Sequence, residues 1–363
     1  MIDPTLIRDP SRYAIDRRTL LGGSVGGLAA LLAASVPARR AFAAETLTVA
    51  DPGGAWTPAS AAAFIQPFGK EFGVTMSHIA RQAYPTVQIK MNVETKSYTW
   101  DAVVATEADV AELAPQGLLE PLDWSGEDMA QIMPQAHLAD WMGQDVYATV
   151  IAYRTDKYGQ NGPKNWAEFW DVKGFPGRRA MHKHPIDTLE AALLADGVAM
   201  KDIYPIDMDR AFKKLDQIKP HIAVWWTGGA QATQMLQSGE ADLIQIWNAR
   251  AQVTIDAGVP AAISWGQGIY SMEGWCIPKG DPRADLARRF IKYCANAKRQ
   301  AVFASRIAYG PTNPKAYDYI PAARAKLLPT APDNLKLMMH SNTQWWSKNK
   351  EAAIERFNAW VLA

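Results

Sequence analysis

Short apolar runs alternate with helical patterns along most of the chain. Residues 46–50, 101–105, 146–153 and 243–247 each form an apolar segment with the length of a buried strand. The segments between them carry apolar residues at helical spacing and stop at glycine, as at Gly73, or at proline. This order predicts an α/β protein with two successive parallel-sheet blocks and helices at its end.

Residue types at the ends of these patterns predict several element boundaries. Ser60 is expected to cap the first long helix, and Asn165 is expected to cap a helix over residues 166–170. The last helix is expected to begin near residue 348. Residues 87–93 alternate between apolar and polar side chains, which fits a strand, but a short helix between two strands is also compatible with them.

The N-terminal 43 residues have the pattern of an export signal. Arg17 and Arg18 precede an apolar run over residues 20–36, and residues 41–43 read Ala-Phe-Ala, which fits the cleavage rule. Paired arginines favour the twin-arginine route. We therefore expect a mature chain that begins near residue 44 and is released into the periplasm.

Charge, thiols and histidines limit the classes of function. The formal net charge of +1 provides no argument for nucleic-acid binding. Cys276 and Cys294 are the two cysteines; they could pair in an oxidising periplasm, or both could be buried thiols. His182 and His184 have no third metal ligand nearby in sequence, so we expect no metal site.

One stretch places a single carboxylate among aromatic side chains. Glu273 follows Tyr270 and precedes Trp275, in a segment that ends at a Pro-Lys-Gly turn. Aromatic ring faces attract cations, and a carboxylate supplies the full counter-charge. The stretch therefore suggests a site for an organic cation. The alternative is a solvated Glu273 at a strand edge, with Trp275 in the core.

Several sequence phrases occur in order across the mature chain. They are Trp56-Thr57, Trp100-Asp101-Ala102, Gly117-Leu118-Leu119, Asn165-Trp166-Ala167, Gly239-Glu240-Ala241-Asp242, Tyr270-Ser271-Met272-Glu273 and Tyr309-Gly310-Pro311. Together they resemble the extracellular solute-binding proteins of ABC transporters, in the spermidine/putrescine-binding branch. The resemblance implies a type II periplasmic binding protein fold, with two α/β lobes, hinge crossovers and a ligand cleft between the lobes. Lobe one would comprise residues 44–152 plus 274–319, and lobe two residues 153–273 plus 320–363.

The resemblance also implies a set of ligand-binding residues. They are Trp56, Thr57, Thr106, Asp187, Trp247, Glu273 and Tyr309, with His184, Trp226 and Ser271 as further candidates. Glu273 and Asp187 would hold a cation, and the aromatic residues would form walls around it. For Trp225 and Trp226, which are adjacent on a predicted strand, one side chain is expected to face the core and the other could face the cleft.

Some positions depart from the pattern of polyamine binders. His184 stands where those proteins have a second acid, Ser271 where they have a tryptophan, and Ala108 where they often have a tyrosine. A buried ammonium needs a partner, so these departures favour a smaller amine, or a ligand that also carries a carboxylate or phosphonate. Two glycine pairs, 53–54 and 228–229, precede helices; each could bind an anionic group or simply form a tight turn.

The predicted function is that of the periplasmic substrate-binding component of an ABC importer. It would capture a small, polyamine-like amine and deliver it to membrane permease subunits, as a monomer and without a cofactor. The first alternative is a binder of a zwitterion or anion, such as an aminoalkylphosphonate or a carboxylate. A second alternative, an enzyme on the same fold, would use Cys276 as its nucleophile.

Overall fold

The computed structural model describes residues 45–81 and 85–363. The predicted export signal at residues 1–43 lies outside this part of the chain. Among the described helices, none combines the length and apolar character that crossing a membrane requires.

The strands of the described residues belong to one mixed sheet. They are β1 (Thr46–Asp51), β2 (Thr75–Ala80), β3 (Ala102–Thr106), β4 (His137–Leu138), β5 (Trp141–Arg154), β6 (Arg179–His182), β7 (Ile222–Trp226), β8 (Leu243–Trp247), β9 (Ala261–Cys276), β10 (Gly310–Pro311) and β11 (Met339–His340). The main path of the sheet runs β2-β1-β3-β9-β5-β8-β6-β7. Two parallel blocks, β2-β1-β3 and β8-β6-β7, are thus joined by the long antiparallel pair β9 and β5.

The helices cover the connections between these strands. They are α1 (Trp56–Ser60), α2 (Gln66–Phe72), α3 (Thr86–Thr95), α4 (Glu107–Leu113), α5 (Glu127–Ala130), α6 (Thr155–Tyr158), α7 (Trp166–Trp170), α8 (Thr188–Ala195), α9 (Met208–Ile218), α10 (Gly229–Ser238), α11 (Asn248–Asp256), α12 (Ala284–Cys294), α13 (Ala297–Arg306), α14 (Ala322–Ala325), α15 (Pro332–Leu335) and α16 (Thr343–Leu362). A π-helical turn, Ala61–Ile65, joins α1 to α2 without a break.

Buried apolar side chains form separate clusters on the two sides of the molecule. The first core draws on residues 47–146 and 272–328, together with Ala249. The second core draws on residues 151–269 and 339–357, and the third on the opposite face of the β6-β8 block. Along β5, Val146 belongs to the first core and Ala148 to the third. The paired strands β5 and β9 therefore pass from one side of the molecule to the other.

Several predicted boundaries can be compared with the helices. Asn165 caps α7 by accepting a hydrogen bond from the Glu168 backbone N–H, which confirms that prediction. The prediction for Ser60 was wrong, because the helix already begins at Trp56 and Ser60 is buried inside the helical run. The last helix begins at Thr343, five residues earlier than predicted, because the Asn342 side chain caps it.

The segment that pattern alone left open is a helix. In α3, Ile89 is buried together with Thr86 and Asn92, at the three-residue spacing of one helix face. Val87 and Met91, which suggested strand alternation, are exposed. The helix thus buries one narrow face, and its other apolar residues do not contribute to the core.

Candidate ligand-binding site

The centre of the candidate site is one face of the β5-β9 pair. In this antiparallel register Asp145 lies opposite Glu273, and Tyr147 lies opposite Ser271. Residues two apart on a strand share a face, and partners in register do so across strands. Asp145, Tyr147, Thr149, Ser271 and Glu273 therefore form one polar surface where the strands cross between the cores.

Two carboxylates are buried side by side on this surface. Asp145 is fully buried and Glu273 is nearly so. Burial raises the pKa of Asp145 well above its ordinary value, and the neighbouring Glu273 raises it further. Burial likewise raises the pKa of Glu273 to about 7, although Arg81, with Nη2 3.9 Å from the carboxylate, opposes the shift. Such a pair has a strong electrostatic requirement for a cation or a proton.

A third acid, Asp187, faces the same region from the start of α8. Its backbone is left-handed, with φ of 66°, and its Oδ2 accepts a 2.6 Å hydrogen bond from the Thr149 hydroxyl. Burial raises the pKa of Asp187 to about 6. One turn further along α8, Glu190 accepts hydrogen bonds from Tyr204 and Trp346, and burial raises its pKa to about 8.

An aromatic wall lies at the carboxyl ends of β6, β7 and β8. The His182 ring stacks on Trp226 at 4.2 Å, and the Trp247 ring meets His182 edge-on at 5.4 Å. His184 stacks on His182 at 5.4 Å. Burial lowers the pKa of His182 to about 3 and that of His184 to about 4, so this wall is uncharged at neutral pH.

A guanidinium group lies between the two glycine pairs. A Cβ atom placed on Gly54 would be 3.2 Å from Arg250 Nη1, and one placed on Gly229 would be 2.7 Å from Arg250 Nε. That Nε is buried and has no hydrogen-bond partner among the described residues. Arg250 also lowers the pKa of Glu273 and opposes the rise in that of Tyr309, so its positive charge acts within the same site. The glycines leave room for this side chain on both sides.

The predicted site residues fall into two groups. Those that contribute to the polar surface or the wall around it are Asp187, Trp247, Glu273, Tyr309, His184, Trp226 and Ser271. Trp56, Thr57 and Thr106 contact other protein groups, and Thr106 is the register partner of Glu273 on β3. The Trp56 ring is in the first core, the Thr57 hydroxyl donates to Asp51, and the Thr106 hydroxyl caps α4 through Asp109.

Sequence reasoning missed several side chains of this site. Asp145, Tyr147 and Thr149 alternate along an otherwise apolar strand, a pattern that could have identified them. Arg250 lies in the first turn of a helix that follows a strand end, which is where α/β proteins bind ligands. His182 was considered only as a metal ligand, whereas the structure places it in the aromatic wall.

The cysteines contradict the enzyme alternative. Cys276 and Cys294 are both free and fully buried. The Cys276 thiol contacts the Val103 carbonyl oxygen, and burial raises the pKa of both thiols. A nucleophilic cysteine needs an accessible thiolate, which this environment disfavours. Within residues 45–81 and 85–363, no group of three or more His, Cys, Asp or Glu side chains is arranged to hold a metal.

Comparison with known proteins places the chain in a family. A family model described as bacterial extracellular solute-binding protein matches residues 63–330. The gamma-aminobutyric acid-binding protein of Pseudomonas aeruginosa is 34% identical over 325 residues, which cover 87% of this chain and 91% of that protein. The crystal structure of an ABC transporter substrate-binding protein from Bradyrhizobium japonicum has 37% identity and a TM-score of 0.82, and the match covers 87% of this chain and 99% of that one.

A more distant relative bears on the polyamine prediction. The spermidine/putrescine-binding periplasmic protein 1 of Haemophilus influenzae is 20% identical over 285 residues, 73% of this chain and 76% of that protein. The matched proteins are solute-binding components of transporters, not enzymes, and they share the two-lobed periplasmic binding fold. The chain belongs to the family of bacterial extracellular solute-binding proteins, which bind small molecules and work with the permease subunits of ABC importers.

Proposed function

We propose that this protein captures a small zwitterion with a primary amine and a carboxylate, in the class of the ω-amino acids. It delivers this solute in the periplasm to an ABC importer. One observation carries the proposal: the buried carboxylates of Asp145 and Glu273 share a site with Arg250, whose Nε has no hydrogen-bond partner among the described residues. A ligand with both charges satisfies both groups at once.

The amine end of the ligand binds at the acidic surface. An ammonium taken out of water needs a counter-charge, and Asp145, Glu273 and Asp187 offer carboxylates within one face of the site. The opposite wall offers uncharged rings, since burial keeps His182 and His184 neutral. A polyamine, which carries no anionic group, would leave Arg250 without a counter-charge from the ligand.

The anionic end of the ligand binds at Arg250. A guanidinium presents a planar fork of donors that matches a carboxylate or phosphonate, and the neighbouring glycines leave room for the Arg250 side chain at this position. The P. aeruginosa relative is named for binding gamma-aminobutyric acid, a compound with both of these ends. An aminoalkylphosphonate has the same pair of charges and belongs to the same proposal.

A matched series of four-carbon compounds tests the proposal. Isothermal calorimetry would compare 4-aminobutyrate, butyrate, butylamine and putrescine, which carry both charges, the anion alone, one cation and two cations. We expect 4-aminobutyrate to bind at least tenfold more tightly than the other three. Preferred binding of putrescine would instead support the polyamine prediction, and preferred binding of butyrate would exclude a role for the acidic surface.

A variant of Arg250 tests binding of the anionic end of the ligand separately from binding of the amine end. In Arg250→Met the side-chain length is kept and the charge is lost. We expect the preference for 4-aminobutyrate over butylamine to disappear, because the carboxylate no longer has a partner. Arg289→Met is the matched control, since the Arg289 side chain is about half exposed on the outer surface. An Arg250 variant that retains the preference would place the anion elsewhere.

We infer that residues 1–43 direct export by the twin-arginine route. The inference rests on Arg17 and Arg18, the apolar run at residues 20–36 and the Ala-Phe-Ala sequence before residue 44. Replacing both arginines by lysine should abolish the processed form in the periplasmic fraction of an expressing cell. Normal processing of the lysine variant would indicate the general secretory route.

A further inference from the structure

The two oxygens of the Asp145 carboxylate have different environments. Oδ2 accepts a 3.1 Å hydrogen bond from the indole N–H of Trp56. Oδ1 is buried and has no hydrogen-bond partner among the described residues. Burying a carboxylate oxygen without a hydrogen-bond donor costs free energy of folding, because the hydrogen bonds that it loses to water are not replaced. Oδ1 is therefore an acceptor in need of a donor from a ligand.

Trp56 holds the Asp145 carboxylate in a fixed orientation. Its ring is 1% exposed and packs edge-on against Trp275 at 5.6 Å and against Phe303 at 5.1 Å. Because the ring is enclosed by these neighbours, its orientation is fixed, and so is the direction in which its N–H points. The ring itself is out of reach of a solute, so its contribution to the site passes through the hydrogen bond to Asp145.

Glu273 completes the surroundings of Oδ1. It lies directly opposite Asp145 in the antiparallel register, which places the Cβ atoms of such a pair about 4.5–5.5 Å apart. The charge of Glu273 raises the pKa of Asp145, so the two carboxylates repel each other, although Arg81, with Nη2 3.9 Å from Glu273, provides one positive charge beside the pair. An ammonium group, with three donors, can reach both carboxylates together.

We propose that Asp145 is a ligand-binding residue whose Oδ1 receives the ammonium group of the solute together with Glu273, and that Trp56 is the positioning residue for Asp145. This rests on the proposed function, the capture of an amine-bearing solute. Because burial raises the pKa of both carboxyl groups, we expect the pair to hold a proton in the ligand-free protein. Binding of the ammonium releases that proton to the solvent.

Other charged or titratable groups lie close to Asp145 and Glu273 and also affect how the pair binds protons. These groups are Asp51, Arg81, Asp109, Tyr147, Arg250 and Tyr309, and Asp187 faces the same surface from the start of α8. His78 also belongs to this surrounding, because its Nε2 lies 2.7 Å from Asp51. Proton release has to be assigned to Asp145 by substitution, since a pH profile alone would include these groups.

The test measures affinity and proton release by calorimetry across pH 6–8, in pairs of buffers with different ionisation enthalpies. The ligand is whichever of 4-aminobutyrate, butylamine and putrescine binds the wild-type chain most tightly. We expect Asp145→Asn to weaken binding at least tenfold and to reduce proton release. Asp101→Asn is the control, because Asp101 is an equally buried acid that pairs with Arg283; it should leave both quantities unchanged.

Trp56→Phe tests the positioning role, since it removes the indole N–H and retains an aromatic ring. We expect a three- to tenfold loss of affinity and a shifted pH dependence of binding. Trp141→Phe is its control: Trp141 is also fully buried in the first core, but its N–H donates to the Ala105 carbonyl oxygen. It should lower thermal stability and leave the pH dependence of binding unaltered.

The outcomes separate the two proposals. Wild-type affinity and proton release in Asp145→Asn would overturn the role of Asp145 and leave the proposed function intact. An unshifted pH dependence in Trp56→Phe would overturn the positioning role. A wild-type chain that binds none of the three amines at millimolar concentration would overturn both the amine-binding function and the role of Asp145.

Discussion

The Nε2 atom of His340 lies 3.0 Å from Oε2 of Glu107, and the two residues belong to segments that pack into different cores. Glu107 begins α4, which packs into the first core, and His340 follows Met339, a residue of the second core. The Thr343 hydroxyl donates to the other oxygen of Glu107 at 3.2 Å. One carboxylate thus connects a segment of the first core to a segment of the second core.

We expect this connection to favour the closed arrangement of the lobes. Glu107→Ala should weaken ligand binding by up to about fivefold, since partly exposed ion pairs contribute roughly 0.2–1 kcal/mol. The measurements are the dissociation constant and the radius of gyration in solution with and without ligand. Glu71→Ala is the control, because Glu71 bonds only groups of the first core side, Arg299 and Tyr293, among its described contacts. Equal effects of both variants would contradict the expectation.

Asp187 can be tested without disturbing its backbone. Its φ of 66° is left-handed, a conformation that asparagine also tolerates, so Asp187→Asn should fold normally. We expect affinity for an amine-bearing ligand to fall about 10- to 100-fold, because a charged hydrogen bond contributes about 1.5–3 kcal/mol. Calorimetry measures the loss, and a thermal melt verifies the fold. Unchanged affinity would mean that Asp187 has a structural role and does not bind the ligand.

The glycine pair before α10 provides a matched pair of variants. A Cβ on Gly229 would lie 2.7 Å from Arg250 Nε and 3.0 Å from the Trp247 ring, whereas one on Gly228 would have no neighbour within 4 Å. Gly229→Ala should displace Arg250 and reduce affinity for a carboxylate-bearing ligand at least fivefold. Gly228→Ala should bind as the wild type does. Calorimetry with 4-aminobutyrate compares them, and similar affinities would contradict the placement of Arg250 at the ligand.

The buried acids predict how stability depends on pH. Burial raises the pKa of Asp187 from 3.8 to about 6, of Glu273 from 4.5 to about 7 and of Glu190 from 4.5 to about 8. Between about pH 4 and pH 8 these acids therefore bind more protons in the folded state than in the unfolded state. His182 and His184, whose pKa values burial lowers from 6.5 to about 3 and about 4, act in the opposite direction below about pH 6.5. The free energy of unfolding of the ligand-free protein should therefore fall as pH rises from about 6.5 to 8.

Glu190→Gln isolates one part of this dependence. The glutamine can still accept the hydrogen bonds of Tyr204 and Trp346, and it has no charge to bury. We expect its melting temperature to match the wild type near pH 5 and to exceed it by several degrees near pH 8, at about 2–4 °C per kcal/mol. Glu240→Gln, an exposed substitution, is the control. A wild-type protein whose stability rises from about pH 6.5 to pH 8 would contradict the expected sign.

The sequence by itself determined the α/β class, the main strands and the family. These follow from local patterns, since apolar runs, helix caps and ordered phrases such as Trp100-Asp101-Ala102 are visible without tertiary contacts. It also singled out Glu273 and Asp187, which both lie at the candidate site. It misplaced Ser60 and left α3 undecided, because apolar alternation does not reveal which residues a helix will bury.

Tertiary structure alone decided which charges meet. Asp145 lies beside Glu273 because the register of two long antiparallel strands pairs them, and no local pattern specifies that register. Packing also decided that Trp56 is buried in the first core, where its indole N–H donates to Asp145. Arg250 lies between two glycine turns that are far apart in sequence. The local patterns thus identified a solute-binding protein, and long-range pairing brought together the charges that favour a zwitterion.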